Sequence, residues 1–122
     1  MAKRGYAGAI GEAGGCAVYR SLSVLATGLV VKASAGRIYG WHLSNSGAAA
    51  AHLKIYDKAT AATQADTPVL TLRLAAGASY SLDLGPGISF AAGIGIRATT
   101  ELADNGTTAP GANEVVANIF FA

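Results

Sequence analysis

The sequence has few of the residues on which disulfide frameworks and metal sites depend. Among its 122 residues there is one cysteine, Cys16, so no internal disulfide can form, which is typical of a protein assembled in a reducing compartment. The only histidines are His42 and His52, and no cysteine or acidic residue has the spacing that would complete a metal-ligand set with them. We therefore expect no structural metal and no cofactor.

Long apolar runs are also missing. No stretch of about 18 apolar residues occurs that could span a membrane. The first 15 residues are rich in glycine and alanine and are interrupted by Glu12, which is not the pattern of a signal peptide. The sequence predicts no membrane partner.

Charge and bulky apolar side chains are both scarce. Charged residues make up 13% of the chain, against about 25% in an ordinary soluble domain. The hydrophobic fraction is 52%, but 27 of these residues are alanine, and there are only three phenylalanines and one tryptophan. A surface with so little charge suits a protein that neighbours cover, although an Ala/Gly-rich domain without partners has the same composition.

The net charge of +2 is too small to indicate nucleic-acid binding. Residues 1–37 hold five basic residues and one acidic residue, whereas residues 38–122 hold four basic and six acidic ones. No dense run of lysine and arginine is interleaved with aromatics, so we expect no nucleic-acid partner. A basic segment ahead of a slightly acidic body favours contacts between neighbouring copies.

Residues 1–24 have no steady hydrophobic period and many glycines, which raise the entropic cost of ordering. We interpret them as an extended N-terminal arm that becomes ordered against a partner. The arm contains bulky or basic residues that a purely flexible linker would not need. These candidate interface residues are Lys3, Arg4, Tyr6, Ile10, Tyr19 and Arg20.

From residue 25 onward, short runs alternate between apolar and polar residues and are separated by Gly, Pro, Asn or Ser. The pattern predicts a single all-β domain over residues 25–122, an antiparallel β-sandwich of about eight short strands that is similar to a jelly roll. The predicted strands are 27–32, 37–45, 52–57, 68–74, 79–84, 88–90, 95–100 and 114–121, with turns between them, including one at 85–87.

No motif in the chain predicts catalysis. The carboxylates are scattered and lie mostly at predicted turns, where they stabilise the backbone. No G-x-S-x-G sequence is present, and Gly93-Ile94-Gly95 lacks the third glycine and the following helix of a dinucleotide-binding motif. We therefore expect a protein that is not an enzyme.

The aromatic residues supply the remaining candidates for an interface. Alternation places Tyr39 and Trp41 on the same face of one strand, where they fill the core, contact another subunit or stack on a sugar. Phe120 and Phe121 point to opposite faces of the last strand, so we expect that a neighbour covers one of them. Tyr39, Trp41 and Phe120 complete the set of candidate interface residues.

Several strings over residues 27–122 resemble a group of small bacteriophage virion proteins. These strings are GRIYGWHLSN at 36–45, LKIYDKAT at 53–60, TPVLTL at 67–72, GISF at 87–90, ATT at 98–100, AD at 103–104 and NIFF at 118–121. The resemblance implies that the β domain is an assembly module of a virion, and it does not cover the arm before residue 25.

The resemblance does not indicate which part of the particle the protein belongs to. Within a virion, the Gly-rich basic arm, the low charge density and the single β domain favour a capsid decoration (cement) protein, which would bind the major capsid protein and its own copies as a homotrimer or homodimer. Such a protein would be assembled in the host cytoplasm and would lie on the capsid surface. A tail, neck or fibre-associated module and a carbohydrate-binding module for host attachment are the alternatives.

Overall fold

The computed structural model describes residues 16–122, and the chain over this range forms eight β-strands and no helix. The predicted all-β class is confirmed. The total of eight strands agrees with the predicted number, although β1 lies in the predicted arm and β6 spans two predicted strands. The strands are β1 (Ala17–Ser21), β2 (Leu29–Lys32), β3 (Gly36–Asn45), β4 (Ala51–Asp57), β5 (Leu70–Leu74), β6 (Ser79–Phe90), β7 (Ile94–Thr99) and β8 (Val115–Phe121).

The strands form two antiparallel sheets of four. Sheet A has the order β1-β8-β3-β6, and sheet B has the order β2-β7-β4-β5. Consequently β1 and β6 are the edge strands of sheet A, whereas β2 and β5 are the edge strands of sheet B. Neighbouring strands in each sheet are antiparallel throughout.

One hydrophobic cluster takes side chains from both sheets. Ile38, Leu43 and Ile119 come from sheet A, and Leu53 and Ile96 come from sheet B. All five are almost fully buried, and a buried Leu or Ile side chain contributes roughly 1.5–3 kcal/mol relative to an exposed one. The period-two alternation of the sequence therefore identifies the core face of each sheet. We call the opposite face of each sheet its outer face.

The predicted turn at residues 85–87 is wrong. Strand β6 continues through it and carries a large bulge instead, because the register with β3 passes from Ile38↔Ile88 to Gly40↔Asp83. Gly85 and Gly87 have φ angles of 57° and 89° in this bulge, a region that favours glycine. The glycines that suggested a turn therefore allow a bulge within a strand.

The predicted boundary between arm and domain at residue 24 is also wrong. Strand β1 pairs with β8 from Ala17↔Phe121 to Ser21↔Ala117. The backbone N–H of Val24 donates to Val115 O at 2.9 Å, and the Val24 side chain is buried in the core. Residues 17–24 therefore belong to the domain. The rest of the predicted arm, residues 1–15, lies outside the described residues.

Candidate functional site

A groove of about 800 Å³ crosses the outer face of sheet A. We call it the outer groove. Its lining includes two aromatic residues, a glycine, a carboxylate, an imidazole and a thiol, namely Tyr39, Phe120, Gly40, Asp83, His42 and Cys16.

An irregularity in β3 positions the floor of this groove, because the register of β3 shifts between Ile38 and Gly40 against both β6 and β8. Ile38 and Trp41 are both core residues, so the irregular register between them leaves Tyr39 and Gly40 to line the outer groove. A Cβ on Gly40 would lie 2.6 Å from Leu82 O, so only glycine fits at this point of the strand.

Phe120 borders Gly40 on the neighbouring strand. The two residues are register partners, and a Cβ on Gly40 would lie 3.4 Å from the Phe120 ring. Phe120 is half-buried, and its other register partner, Val18 on β1, is exposed. The groove therefore has an aromatic floor that is reached from solvent.

The predicted interface residues have different environments. Tyr39 and Phe120 line the outer groove together, as an interface surface requires. Trp41 borders the groove, but its side chain is 6% exposed and belongs to the core. The prediction that Tyr39 and Trp41 share a face is wrong, because the bulge shifts the alternation between them.

The two candidates on β1 face opposite sides of the sheet. Tyr19 packs against the core, and burial raises the pKa of its phenol. Arg20 is exposed and lies opposite Asn118, on the outer face. The remaining candidates, Lys3, Arg4, Tyr6 and Ile10, lie outside the described residues.

Polar groups flank the aromatic floor. The exposed carboxylate of Asp83 accepts a hydrogen bond from the backbone N–H of Gly85 at 2.9 Å. Asn118 Nδ2 donates to His42 O at 3.3 Å, and both residues line the groove. Two half-buried rings beside a carboxylate and an amide form a surface that suits recognition of an extended peptide or a sugar.

Two buried cations lie on the outer face of sheet B. Lys54 on β4 and Arg97 on β7 are 0% and 1% exposed, respectively. Lys54 alternates with the core residues Leu53 and Ile55 and therefore lies on the opposite face of β4. The connection between β7 and β8 covers this face.

These cations donate to backbone carbonyl groups. Lys54 Nζ donates to Ala103 O, and Arg97 Nη2 donates to Gly106 O at 2.7 Å. Arg97 Nε also donates to Ala26 O at 2.9 Å, and its Nη1 donates to Tyr56 Oη at 3.1 Å. The two side chains therefore fasten the connection over sheet B, and hydrogen bonding of this kind satisfies buried polar groups.

The charges of this cluster affect each other. Burial lowers the pKa of Lys54, and the charge of Arg97 lowers it further, while Asp104 and Glu101 oppose these effects. Glu101 in turn accepts a hydrogen bond from the backbone N–H of Thr108 at 3.0 Å, and its bonds to Thr108 lower its pKa. The cluster is thus a clamp that holds the 100–108 connection.

His52 lies on the same face and is 3% exposed. Neither ring nitrogen has a hydrogen-bond partner in the described part of the chain. Burial lowers the pKa of His52, and the charges of Arg73 and Lys54 lower it further. A hydrogen bond to the backbone of Thr100 would raise the pKa of His52. Because neither ring nitrogen has a hydrogen bond of normal geometry, burial has the larger effect on this pKa.

Over residues 16–122, no three or more His, Cys, Asp or Glu side chains come together in a way that could hold a metal ion. This part of the chain also contains no helix of the length and hydropathy needed to cross a membrane.

Among the described residues, the cations of the clamp are buried, whereas the outer groove is open to solvent. Comparisons of the chain with protein-family models, with curated proteins and with solved structures find no match.

Proposed function

We propose that this chain is a bacteriophage capsid decoration protein, which binds the assembled shell and copies of itself. The observation that carries the proposal is the exposure of apolar side chains along the free edges of both sheets. The resemblance of residues 27–122 to small virion proteins supports the choice of a virion over other assemblies.

The first apolar edge lies along β5 and β6. Tyr80 and Leu82 on β6 and Val69 beside β5 are exposed large hydrophobic residues. Leu82 is 48% exposed although its register partner, Trp41, belongs to the core. A cleft of about 350 Å³ lies between these two edge strands.

The second apolar edge lies on the opposite side. Val18 and Leu22 belong to or follow β1, and Val30 belongs to β2; all three are exposed. An edge strand presents unpaired backbone groups, and exposed apolar residues beside it mark an association surface. A chain with few charges and two such edges is suited to contact with neighbours on both sides.

We further propose that the two sheets pack face to face as a jelly-roll sandwich. The single core cluster with side chains from both sheets supports this arrangement. Strand pairing supports it too, because β1 pairs with β8, β2 with β7, β3 with β6 and β4 with β5. These pairs are nested and alternate between the sheets, as in a long hairpin wrapped into two layers, an architecture that occurs in viral capsid proteins.

The mechanism is stabilisation by mass action. A molecule that binds only the assembled lattice stabilises it, and the stabilisation increases with the logarithm of the free concentration once most sites are occupied. Several weak contacts made by one oligomer add up through effective concentration, so no single contact needs to be strong.

The edge is tested with a pair of leucine substitutions. Leu82→Lys puts a charge into the β5–β6 edge, whereas Leu102→Lys puts the same charge at a residue that is 65% exposed in the 100–108 connection. Particles lacking the protein are mixed with each variant, and bound protein is quantified by co-sedimentation. We expect Leu82→Lys to lose most particle binding and Leu102→Lys to bind as the unmodified chain does. Equal binding by both variants would contradict the proposal.

The arm is tested with a chain that begins at Cys16. A cut at this point keeps β1 paired with β8, whereas a cut at residue 20 would remove most of a strand from sheet A. We expect the shortened chain to fold and to bind particles more weakly.

Electron microscopy and copy number decide between positions in the virion. A decoration protein covers the shell in hundreds of copies, whereas a tail, neck or fibre module is present in tens or fewer. Particles imaged with and without the protein would show density on the shell in the first case and at the tail in the second.

Carbohydrate binding is a second candidate, and the outer groove is the observation that favours it. Tyr39 and Phe120 lie beside Asp83 and Asn118, which combines stacking surfaces with hydrogen-bonding groups. A glycan array with the isolated protein tests this candidate, and loss of a signal in Phe120→Ala would locate the site.

A further inference from the structure

We propose that a cavity beside Arg97, on the outer face of sheet B, binds a tetrahedral oxyanion of the phosphate class. This inference does not rest on the proposed role in a virion, because it concerns a site within the isolated domain. It follows from a buried cation whose hydrogen-bond acceptors in the described chain are all neutral and which borders a polar cavity.

The cavity has a volume of about 340 Å³ and lies where three connections between strands meet. One wall consists of residues 26–28 ahead of β2, and another consists of residues 61–64 between β4 and β5. Thr107, between β7 and β8, forms the third wall. Arg97 on β7 also lines this space, which we call the Arg97 cavity, and it is the charged residue among the described residues of the lining.

Contacts within the domain hold the walls of the Arg97 cavity in place. Arg97 Nε donates to Ala26 O at 2.9 Å, and Arg97 Nη2 donates to Gly106 O at 2.7 Å. A Cβ on Gly28 would overlap the backbone of Ala62, so the first two walls touch each other directly. The cavity is therefore formed before a ligand arrives, and a preformed site loses little conformational freedom on binding.

The charge of Arg97 has no carboxylate partner in the described chain. Arg97 is 1% exposed, and it donates to two backbone carbonyl groups and to the hydroxyl of Tyr56. Its register partner Lys54 is a second buried cation, which donates to Ala103 O. Because a buried charge is costly without an opposite charge, an anion in the adjoining cavity would supply the partner that these two cations lack.

The carboxylates of the surrounding connections leave the Arg97 cavity free of negative charge. Asp66 follows the second wall, but it pairs with Lys58 at 2.7 Å. Glu101 accepts a hydrogen bond from the backbone N–H of Thr108 at 3.0 Å. Neither carboxylate lines the cavity, so an anion bound there would meet a positive potential.

Polar side chains at the open side of the cavity supply the direct contacts. Thr27, Gln64 and Thr107 line it and are exposed, and they offer two hydroxyl groups and an amide. Arg97 is almost completely buried, so its charge attracts the anion across surroundings of low dielectric constant. Attraction from below and hydrogen bonds from the rim together suit a ligand with several charged oxygens.

The volume of the cavity bears on the source of the oxyanion. Sites for small molecules typically measure about 300–1,000 Å³, so this cavity holds an oxyanion together with some attached atoms. A free phosphate ion and a phosphate group carried on a sugar share the chemistry that the site would recognise. The experiment below separates these two sources.

Titration of the full chain with inorganic phosphate, followed by NMR, tests the proposal. Sodium chloride keeps the ionic strength constant, so that screening of surface charges does not imitate binding. We expect saturable shifts of the backbone amide signals of Gly28, Thr63 and Thr107, and none at Ser81 on the outer groove. Shifts that do not saturate, or that sodium chloride produces equally, would show screening alone and overturn the proposal.

Substitutions at Gln64 locate the site without disturbing the clamp. Gln64→Glu puts a negative charge beside the cavity, whereas Asn118→Asp makes the same change of amide to carboxylate on the outer face of sheet A. We expect Gln64→Glu to weaken phosphate binding about tenfold, since a like charge a few ångströms away opposes the anion. Gln64→Lys should strengthen binding, and Asn118→Asp should leave it within twofold. Equal dissociation constants for Gln64→Glu and Asn118→Asp would overturn the proposal.

Glucose 6-phosphate and glucose distinguish the sources of the phosphate group. Tighter binding of glucose 6-phosphate than of inorganic phosphate supports a phosphate carried on a larger molecule, and equal binding supports the free ion. If glucose shifted the same signals with the affinity of glucose 6-phosphate, the phosphate group would contribute nothing, and the proposal would be wrong.

Discussion

Lys54 and Arg97 lie opposite each other on the neighbouring strands β4 and β7, and both cations are buried. Within the described residues, one ion pair forms, between Lys58 Nζ and Asp66 Oδ2 at 2.7 Å. Neither Lys54 nor Arg97 forms an ion pair with a described residue. Burial of a charge is costly unless hydrogen bonds compensate it. The compensation here comes from backbone carbonyl groups, most of them in the connection that lies over the two side chains.

The two cations should contribute unequally to stability. Arg97→Met removes three hydrogen bonds, so we expect the free energy of unfolding to fall by about 3 kcal/mol. Lys54→Met removes one hydrogen bond, but it also removes a buried charge and its repulsion with Arg97, so the loss should be about 1 kcal/mol or less. Urea denaturation measures both, and an equal loss would contradict this account of the clamp.

Stability should depend on pH through His52. Because burial lowers its pKa in the folded chain, the unfolded chain binds a proton first as the pH falls through the ordinary value of 6.5. The free energy of unfolding therefore decreases just below pH 6.5, by at most about 1.4 kcal/mol per pH unit for one proton. We expect this slope to disappear in His52→Leu and to remain in His42→Leu, which replaces an exposed histidine.

Thermal or urea unfolding between pH 7 and pH 5 measures the slope. Asp57, a carboxylate, affects stability in a more acidic pH range. Hydrogen bonds from the backbone of Ala92 and Ala91 lower the pKa of Asp57 from 3.8, so its contribution is lost only at more acidic pH. A slope between pH 7 and pH 5 that persists in His52→Leu would show that another group is responsible.

The bulge of β6 should depend on Gly87. This residue has a φ angle of 89°, and a Cβ there would lie 3.1 Å from Ile38 O and from the Tyr39 ring. Gly77 is a matched control, because its φ of 70° is similarly unfavourable for alanine but nothing lies within 4 Å of an added Cβ. We expect Gly77→Ala to cost about 1 kcal/mol and Gly87→Ala about 2–3 kcal/mol. Equal costs would mean that the neighbours of Gly87 adjust freely.

Much of the fold could be predicted because its strands alternate with period two. Leu53 and Ile55 identify the core face of β4, and Ile96 and Ala98 identify that of β7. Bulges interrupt this rule, since one extra residue moves all later side chains to the other face. For this reason, simple alternation wrongly predicted that Tyr39 and Trp41 lie on the same face of β3.

The environment of the outer faces could not be predicted in the same way. Lys54 and Arg97 follow the alternation correctly, yet the connection that covers them comes from a distant part of the chain. Alternation distinguishes two faces of a strand, but it does not reveal whether solvent or another segment lies on the polar face. Of the outer groove, Phe120 and Tyr39 were predicted as interface residues, whereas Asp83 and Asn118 join them only through strand pairing.

Asn45 links the two sheets through buried hydrogen bonds. Its Nδ2 donates to Leu74 O in sheet B and to Ala49 O, each at 3.0 Å, and its Oδ1 accepts from the N–H of Gly47 at 2.9 Å. Asn45→Ala would leave these backbone groups without partners, so we expect a loss of about 3 kcal/mol in urea denaturation. Asn118→Ala is the control.

Asn118 carries the same side chain on the outer face of sheet A and makes one longer hydrogen bond, at 3.3 Å to His42 O. Water can replace that bond, so Asn118→Ala should cost less than about 1 kcal/mol. If Asn45→Ala cost no more than Asn118→Ala, the backbone groups around residue 45 would find other partners, and the contact between β3 and β5 would not depend on this side chain.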